Sequence, residues 1–226
     1  MKRREGLVLF TGIDGSGKTT QALDCVRENP GLGYRWLRWE PYLTRPAMAL
    51  MRLLMRREAG GNSERPIDDS GHREFVGKKQ RFFQSAWRQR LWTTVVLLEY
   101  LPQCLFRLGL ARVRARRILC DRYLHDVAID LSLNYGTGVE GIQAVLQHPL
   151  ARLFPRPDLI LVFDLEPRAA FERKQDGTPL AYMEHRVPLY QSLIDESTGR
   201  RIDASRPRME VLREVVAVLK EAGFID

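Results

Sequence analysis

The chain has 226 residues, 44% of them apolar, three cysteines and a formal charge of +8, which predicts one domain over residues 1–226 with a core of ordinary size. Cys25, Cys104 and Cys120 share no metal or redox spacing; this excludes a zinc ribbon, a C-x-x-C pair and a disulfide scaffold, and it fits a reducing compartment. The positive balance asks for an anionic partner, for which nucleotide phosphate suffices; the basic residues are dispersed, so no nucleic-acid partner is expected.

The basic start Met1–Arg4 precedes an apolar run, Leu7 to Phe10, too short for an export signal, and no segment approaches the length of a bilayer span. A cytoplasmic protein without a membrane partner is expected. The first predicted strand, Leu7–Thr11, is continuously apolar, as a strand covered on both faces should be. It runs into Gly12-Ile13-Asp14-Gly15-Ser16-Gly17-Lys18-Thr19, which matches G-x-x-x-x-G-K-[ST] without a gap. Gly12, Gly15 and Gly17 let the backbone turn tightly and bring N–H groups close to phosphate oxygens. Lys18 is placed to reach the β/γ-phosphates and the Thr19 hydroxyl to ligate Mg²⁺, while the helix starting there adds the positive end of its dipole. The candidate nucleotide contacts are Gly12, Asp14, Gly15, Ser16, Gly17, Lys18, Thr19 and Thr20.

Beyond the loop, the patterns predict a helix over Thr19–Glu28, a strand over Tyr34–Trp39, and helices over Arg45–Glu58, Arg73–Tyr100 and Gln103–Arg114. Gly60–Gly71 reads as a loop. A strand follows over Arg117–Asp121, then a helix over Val139–Leu153 and a strand over Asp158–Leu165. Helices over Arg168–Gln175 and Tyr182–Glu196, a weak strand over Arg200–Asp203 and a helix over Pro207–Ala222 complete the chain. The alternation argues for an α/β, P-loop NTPase fold: a parallel five-stranded sheet with helices on both faces and ligands at the carboxyl ends of the strands.

Two further stretches bear on chemistry. Ile118-Leu119-Cys120-Asp121 is an apolar strand ending in the carboxylate that a phosphate-loop enzyme directs at Mg²⁺, and Arg122 puts a phosphate-binding cation at the same rim. Gln175-Asp176-Gly177-Thr178-Pro179 reads as a short lid that carries Arg173 and Lys174 over the phosphates. The catalytic candidates from these patterns are thus Lys18, Arg122, Arg173 and Lys174, with Thr19 and Asp121 for the metal; Asp14 joins them through the resemblance described next.

The sequence resembles thymidylate kinases. Four motifs occur in that family's order: the phosphate loop Asp14 to Thr20; Asp121-Arg122-Tyr123; Pro157-Asp158-Leu159 opening a strand that leads to Arg173; and Ile202-Asp203-Ala204-Ser205. The resemblance implies ATP and Mg²⁺ as cofactors, dTMP as the acceptor, a homodimer, Asp14 positioning the acceptor, and Asp203 and Ala204 beside the adenine. The chain departs from the family at Trp39-Glu40-Pro41, where an Arg-Glu-Pro is usual, so that Arg38 or Arg45 is expected to stand in. Phe82, Phe83, Trp87, Arg88, Arg90 and Trp92 fall in the base-binding region, with Glu99-Tyr100 nearer the expected spacing.

Two other functions fit parts of the sequence. A kinase of the same fold acting on a nucleoside or a sugar-containing precursor fits the altered acceptor region. Such an acceptor is expected if Glu99 points into the cleft with none of Arg38, Arg45, Arg88 or Arg90 beside it. A nucleotide-binding switch finds a D-x-x-G at Asp68–Gly71, but no strand before it and no N-K-x-D.

Overall fold

The computed structural model describes residues 6–50, 53, 69–174, 178–194 and 197–225. Five strands, β1 (Gly6–Gly12), β2 (Leu32–Trp36), β3 (Arg117–Asp121), β4 (Leu159–Asp164) and β5 (Gly199–Asp203), form one sheet in the order β2-β3-β1-β4-β5. Every pairing is parallel, as the alternating pattern predicts. β1, β3 and β4 bury almost every residue, which is why they read as apolar runs rather than alternating ones. The chain moves to one side of β1 for β2 and β3 and to the other for β4 and β5, so the carboxyl end of β1 is the crevice at which open sheets bind ligands. Register sets Asp121 opposite Phe10 on one side and Trp36 on the other.

The helices are α1 (Lys18–Glu28), α2 (Asp69–Phe82), α3 (Ala86–Arg114), α4 (Leu124–Tyr135), α5 (Gly138–Leu146), α6 (Pro167–Arg173), α7 (Leu180–Glu184), α8 (Val187–Gln191) and α9 (Arg208–Glu221). A helical run covers 45–50, and the rest of the predicted Arg45–Glu58 helix lies largely outside the described residues. Most of the predicted Gly60–Gly71 loop does too, although its last three residues already belong to α2.

Four differences from the predicted elements have physical causes. The expected break near Pro102 is absent: α3 runs through it, and the helix ends instead at Phe82. Pro102 and Leu98, the residue whose carbonyl loses its partner, lie on the exposed side, where water takes the free acceptor. α4 has no counterpart among the predicted helices, because buried residues occupy nearly all of its circumference and leave no amphipathic stripe. Its start is set by a capping box in which the Asp126 carboxylate accepts from the Tyr123 N–H at 2.9 Å. The predicted Val139–Leu153 helix stops at Leu146 and resumes as a 3-10 turn, Pro149–Leu153, since the residue before a proline avoids the helical region. The predicted Tyr182–Glu196 helix is two short ones, α7 and α8, with Pro188 in the first turn of the second.

α3 is long and apolar enough to cross a membrane by length and composition alone, contrary to the sequence expectation. In the fold its inner face, with Val96, Leu97, Tyr100, Cys104, Leu108 and Ala111, is part of the core. All three cysteines are buried and free.

Candidate functional site

The site grows from the turn that follows β1. Gly15 sits at φ 87°, and a Cβ there would lie 2.7 Å from the Ala170 carbonyl oxygen, so both backbone shape and close approach to α6 demand glycine. Gly17, at φ 85°, caps α1 with nothing within 4 Å of where its Cβ would be, which leaves the start of the helix open to a ligand. Ser16 closes the turn by donating from its hydroxyl to the Ile13 carbonyl at 2.8 Å. Thr20 is exposed in the first turn of α1.

Lys18 folds back into this loop. Its Nζ donates to the Ile13 carbonyl at 2.7 Å, and the residue is only 5% exposed. Burial lowers its pKa, with Asp121 and Asp126 opposing that shift. An ammonium held by one carbonyl is a cation in waiting: a phosphate oxygen is a stronger acceptor than the carbonyl.

Thr19 and Asp121 meet. The Thr19 hydroxyl donates to the Asp121 carboxylate, and the Tyr34 hydroxyl donates to the same carboxylate oxygen at 3.2 Å. A hydroxyl and a carboxylate side by side, brought from α1 and β3, are hard oxygen donors of the kind Mg²⁺ takes. Among the described residues no group of three or more His, Cys, Asp or Glu could hold a metal by itself, and Mg²⁺ with substrate phosphates does not need one.

The third cluster is ionic. Asp14 is paired with Arg122 through one oxygen and with Lys174 through the other, the latter at 3.1 Å. Arg122 is the one non-glycine residue among those described with positive φ, at 67°. That strain is held by its neighbours: its Nη1 donates to Asp126 at 3.3 Å and to the Tyr190 hydroxyl at 3.1 Å. Asp126 is 4% exposed and also accepts from Thr11 and Tyr190, each at 3.1 Å. It therefore ties β1, α4 and α8 together beside the Gly12–Thr19 turn.

The predicted catalytic residues Lys18, Asp14, Arg122 and Lys174 thus share one neighbourhood. Arg173 stands apart from them. Its guanidinium donates to the Ala204 carbonyl at 2.9 Å, and the Ala204 N–H donates to the Asp164 carbonyl at 2.9 Å. Asp203 closes a turn by accepting from the Ser205 N–H at 3.1 Å and from its hydroxyl at 2.6 Å. The lid residues Gln175, Asp176 and Gly177 lie outside the described residues.

On the opposite rim the geometry answers the question posed by Glu99. Its carboxylate accepts from the backbone N–H groups of Tyr42, Leu43 and Thr44, from the Thr44 hydroxyl at 2.6 Å and from the Trp39 indole at 3.3 Å. Burial works to raise its pKa, but the Thr44, Leu43 and Tyr42 bonds outweigh it and hold the carboxyl below its usual range. Glu99 is a turn-holding anion. The arginines expected to grip the acceptor are engaged elsewhere or face outward. Arg88 donates to the Phe82 carbonyl at 3.0 Å, Arg45 stacks on Tyr42, and Arg38 and Arg90 are exposed. Phe83 is buried against Phe82 and Tyr135, while Trp87 is exposed. Sequence patterns gave no sign of Tyr34, Thr11 or Tyr190 at this site, because each arrives through a long-range contact with no local spacing.

No protein-family model matches the chain. It is 32% identical over 175 residues to a thymidylate kinase from Desulforudis audaxviator (strain MP104C). The match covers 74% of this chain and 64% of that protein's length. The parallel sheet and its flanking helices have the architecture of a P-loop kinase fold, and the similarity relates the chain to thymidylate kinases.

Proposed function

We propose that the chain, as one domain over residues 1–226, transfers a phosphoryl group from ATP to a nucleoside monophosphate, with dTMP as acceptor. The observation that carries this is the meeting of Lys18, Thr19–Asp121 and the Asp14–Arg122–Lys174 cluster at the carboxyl end of β1. Phosphoryl transfer needs positioning and charge neutralisation rather than covalent chemistry, and these residues supply both. Thr19 and Asp121 would hold Mg²⁺, which neutralises charge on the transferring phosphates. Lys18 leaves the Ile13 carbonyl for the β/γ-phosphates. Arg122 and Lys174 exchange Asp14 for phosphate oxygens, which frees the Asp14 carboxylate to orient the acceptor. Arg173 braces the Asp203–Ala204 segment against the adenine. The test is ATP-dependent formation of dTDP from dTMP at a rate well above ATP hydrolysis; turnover of a neutral hydroxyl substrate without dTDP would overturn it.

One observation favours a second reading, a neutral nucleoside or sugar acceptor: Trp39 and Glu99 bond to each other where the family usually offers an arginine. For partners we propose no nucleic acid and no membrane, but a second copy of the chain. The outward face of α3 exposes Leu98, Phe106, Leu110 and Val113, a continuous apolar stripe at helical spacing. Light scattering on the protein and on a Phe106→Glu variant tests this. Buried free thiols fit a cytoplasmic setting.

A further inference from the structure

Tyr34 belongs to none of the sequence motifs, yet it ends at the carboxylate proposed for Mg²⁺. It lies on β2, the edge strand of the sheet, opposite Leu119 and two residues short of the Trp36–Asp121 pair. Residues two apart on a strand face the same way and stand about 7 Å from each other along it. A tyrosine side chain spans that distance, and the Tyr34 hydroxyl donates to Asp121 Oδ2 at 3.2 Å. The ring is half-buried and packs against the core, which holds the hydroxyl in place. The chain just after β2 also holds the backbone of Asp121, whose carbonyl accepts from the Leu37 N–H at 3.0 Å.

The donors decide which oxygen is left. Thr19 and Tyr34 both donate to Oδ2, and among the described residues no hydrogen bond falls on Oδ1. A carboxylate oxygen has about two lone-pair sites, so two donors fill Oδ2. The Thr19 hydroxyl has a single proton, and with that proton committed to Asp121 its lone pairs remain for a cation. Asp121 can then offer a cation, or a water bound to it, one oxygen and not two. That arrangement distinguishes ions by size. Mg²⁺ demands near-ideal octahedral angles, which a carboxylate holding it through both oxygens does not meet, whereas Ca²⁺ takes such pairs in its looser shell. Removing the Tyr34 hydroxyl would reopen a site on Oδ2 and let the carboxylate turn.

We propose that Tyr34 is a positioning residue for the metal: it fixes Asp121 as a one-oxygen ligand and thereby sets a preference for Mg²⁺ over Ca²⁺. The inference rests on the kinase function proposed above, with Thr19 and Asp121 as the metal's donors, and deepens it. A residue of the edge strand, outside the Gly12–Thr19 turn, governs which cation the site accepts. It acts through Asp121 and touches neither substrate nor metal itself. Partners of this kind orient a ligand before the metal arrives, so their loss lowers metal affinity without removing a ligand.

The test compares the full chain with Tyr34→Phe, which keeps the ring in its packing and removes only the hydroxyl. Calorimetric titration with a non-hydrolysable ATP analogue is run with Mg²⁺, with Ca²⁺ and with EDTA. In Tyr34→Phe the expected result is about tenfold weaker binding with Mg²⁺, a loss below about threefold with Ca²⁺, and metal-free affinity within about twofold of wild type. A tyrosine that serves only the fold would shift all three alike or none of them, and either result overturns the proposal. Equal losses with Mg²⁺ and Ca²⁺, at unchanged metal-free affinity, would overturn the preference between the ions. If wild type binds no analogue under any of the three conditions, the ATP-dependent reading falls. Titration with Mn²⁺ alone, followed by the paramagnetic resonance of the free ion, then decides the role of Tyr34 by itself. Weaker Mn²⁺ binding to Tyr34→Phe supports it; equal binding, or none to either protein, overturns it.

Discussion

The two rims of the site are built in different ways. On the side proposed for the donor, eight consecutive residues from Gly12 to Thr19 carry the glycines, the lysine and the hydroxyl proposed for Mg²⁺, and the strand and helix on either side hold them. On the side proposed for the acceptor, Glu99 reaches across more than fifty residues of chain to fasten the turn at 42–44. Backbone shape builds the first and side-chain contacts build the second. A site of the first kind tolerates little change in sequence, whereas one of the second kind can exchange its contacts from one element to another.

The sharpest way to test that contrast is Lys18→Ala. It should abolish activity by about a thousandfold or more, because it removes charge stabilisation at the transferring group. The thermal midpoint should hardly move, since the ammonium is buried at a desolvation cost and its bond to Ile13 is local. Steady-state rates and a thermal melt check both halves; a folded variant with near-normal turnover would remove the loop from catalysis.

A second test bears on acid stability. His125, in the first turn of α4, is buried, and burial lowers its pKa from 6.5 to about 4. The folded protein therefore resists protonating it while the unfolded chain does not. The sign follows: stability is intact above about pH 6.5 and falls as pH drops towards 4, by about 3 kcal/mol for the full shift. Denaturant melts between pH 7 and 4.5 should show this loss, and His125→Asn should flatten it. An equally steep acid limb in the variant would assign the loss to other groups.

Glu99→Gln is the intermediate case. It keeps the shape but replaces an anionic acceptor with a weaker one and adds donors where donors already converge. A loss of about 2 kcal/mol is expected, with KM for the acceptor rising more than KM for ATP. Equal effects on both substrates would break the division between rims. The smallest effect is expected at Arg208, whose guanidinium holds Asp24 through two bonds, at 2.8 and 2.7 Å, and so docks α9 on α1. The arginine side chain is 57% exposed, so Arg208→Ala should cost no more than about 1 kcal/mol and leave both KM values unchanged.

How much of this was legible in the sequence differs element by element. β1, β3 and β4 were readable because strands buried on both faces are apolar throughout. α9 was readable from its stripe of Leu212, Val215 and Leu219. α4 was not, since a helix buried on most of its surface has no polar face to mark its period. The run of α3 through Pro102 was hidden as well, because a proline's cost depends on whether its orphaned carbonyl meets water. At the site, Lys18, Thr19 and Asp121 were legible as motif residues. The role of Glu99 as a turn anchor was not, since nothing local distinguishes it from a surface charge.

By itself the sequence determined the glycine turn after β1, the parallel sheet and the carboxylate at the end of β3, because these depend on backbone conformation and on burial, which local composition records. Only the tertiary structure decided which carboxylates fasten distant segments, as Glu99 and Asp126 do, and which pair with cations beside the Gly12–Thr19 turn, as Asp14 does. Those roles depend on the distance between charges, and that distance is set by packing between segments the chain keeps far apart.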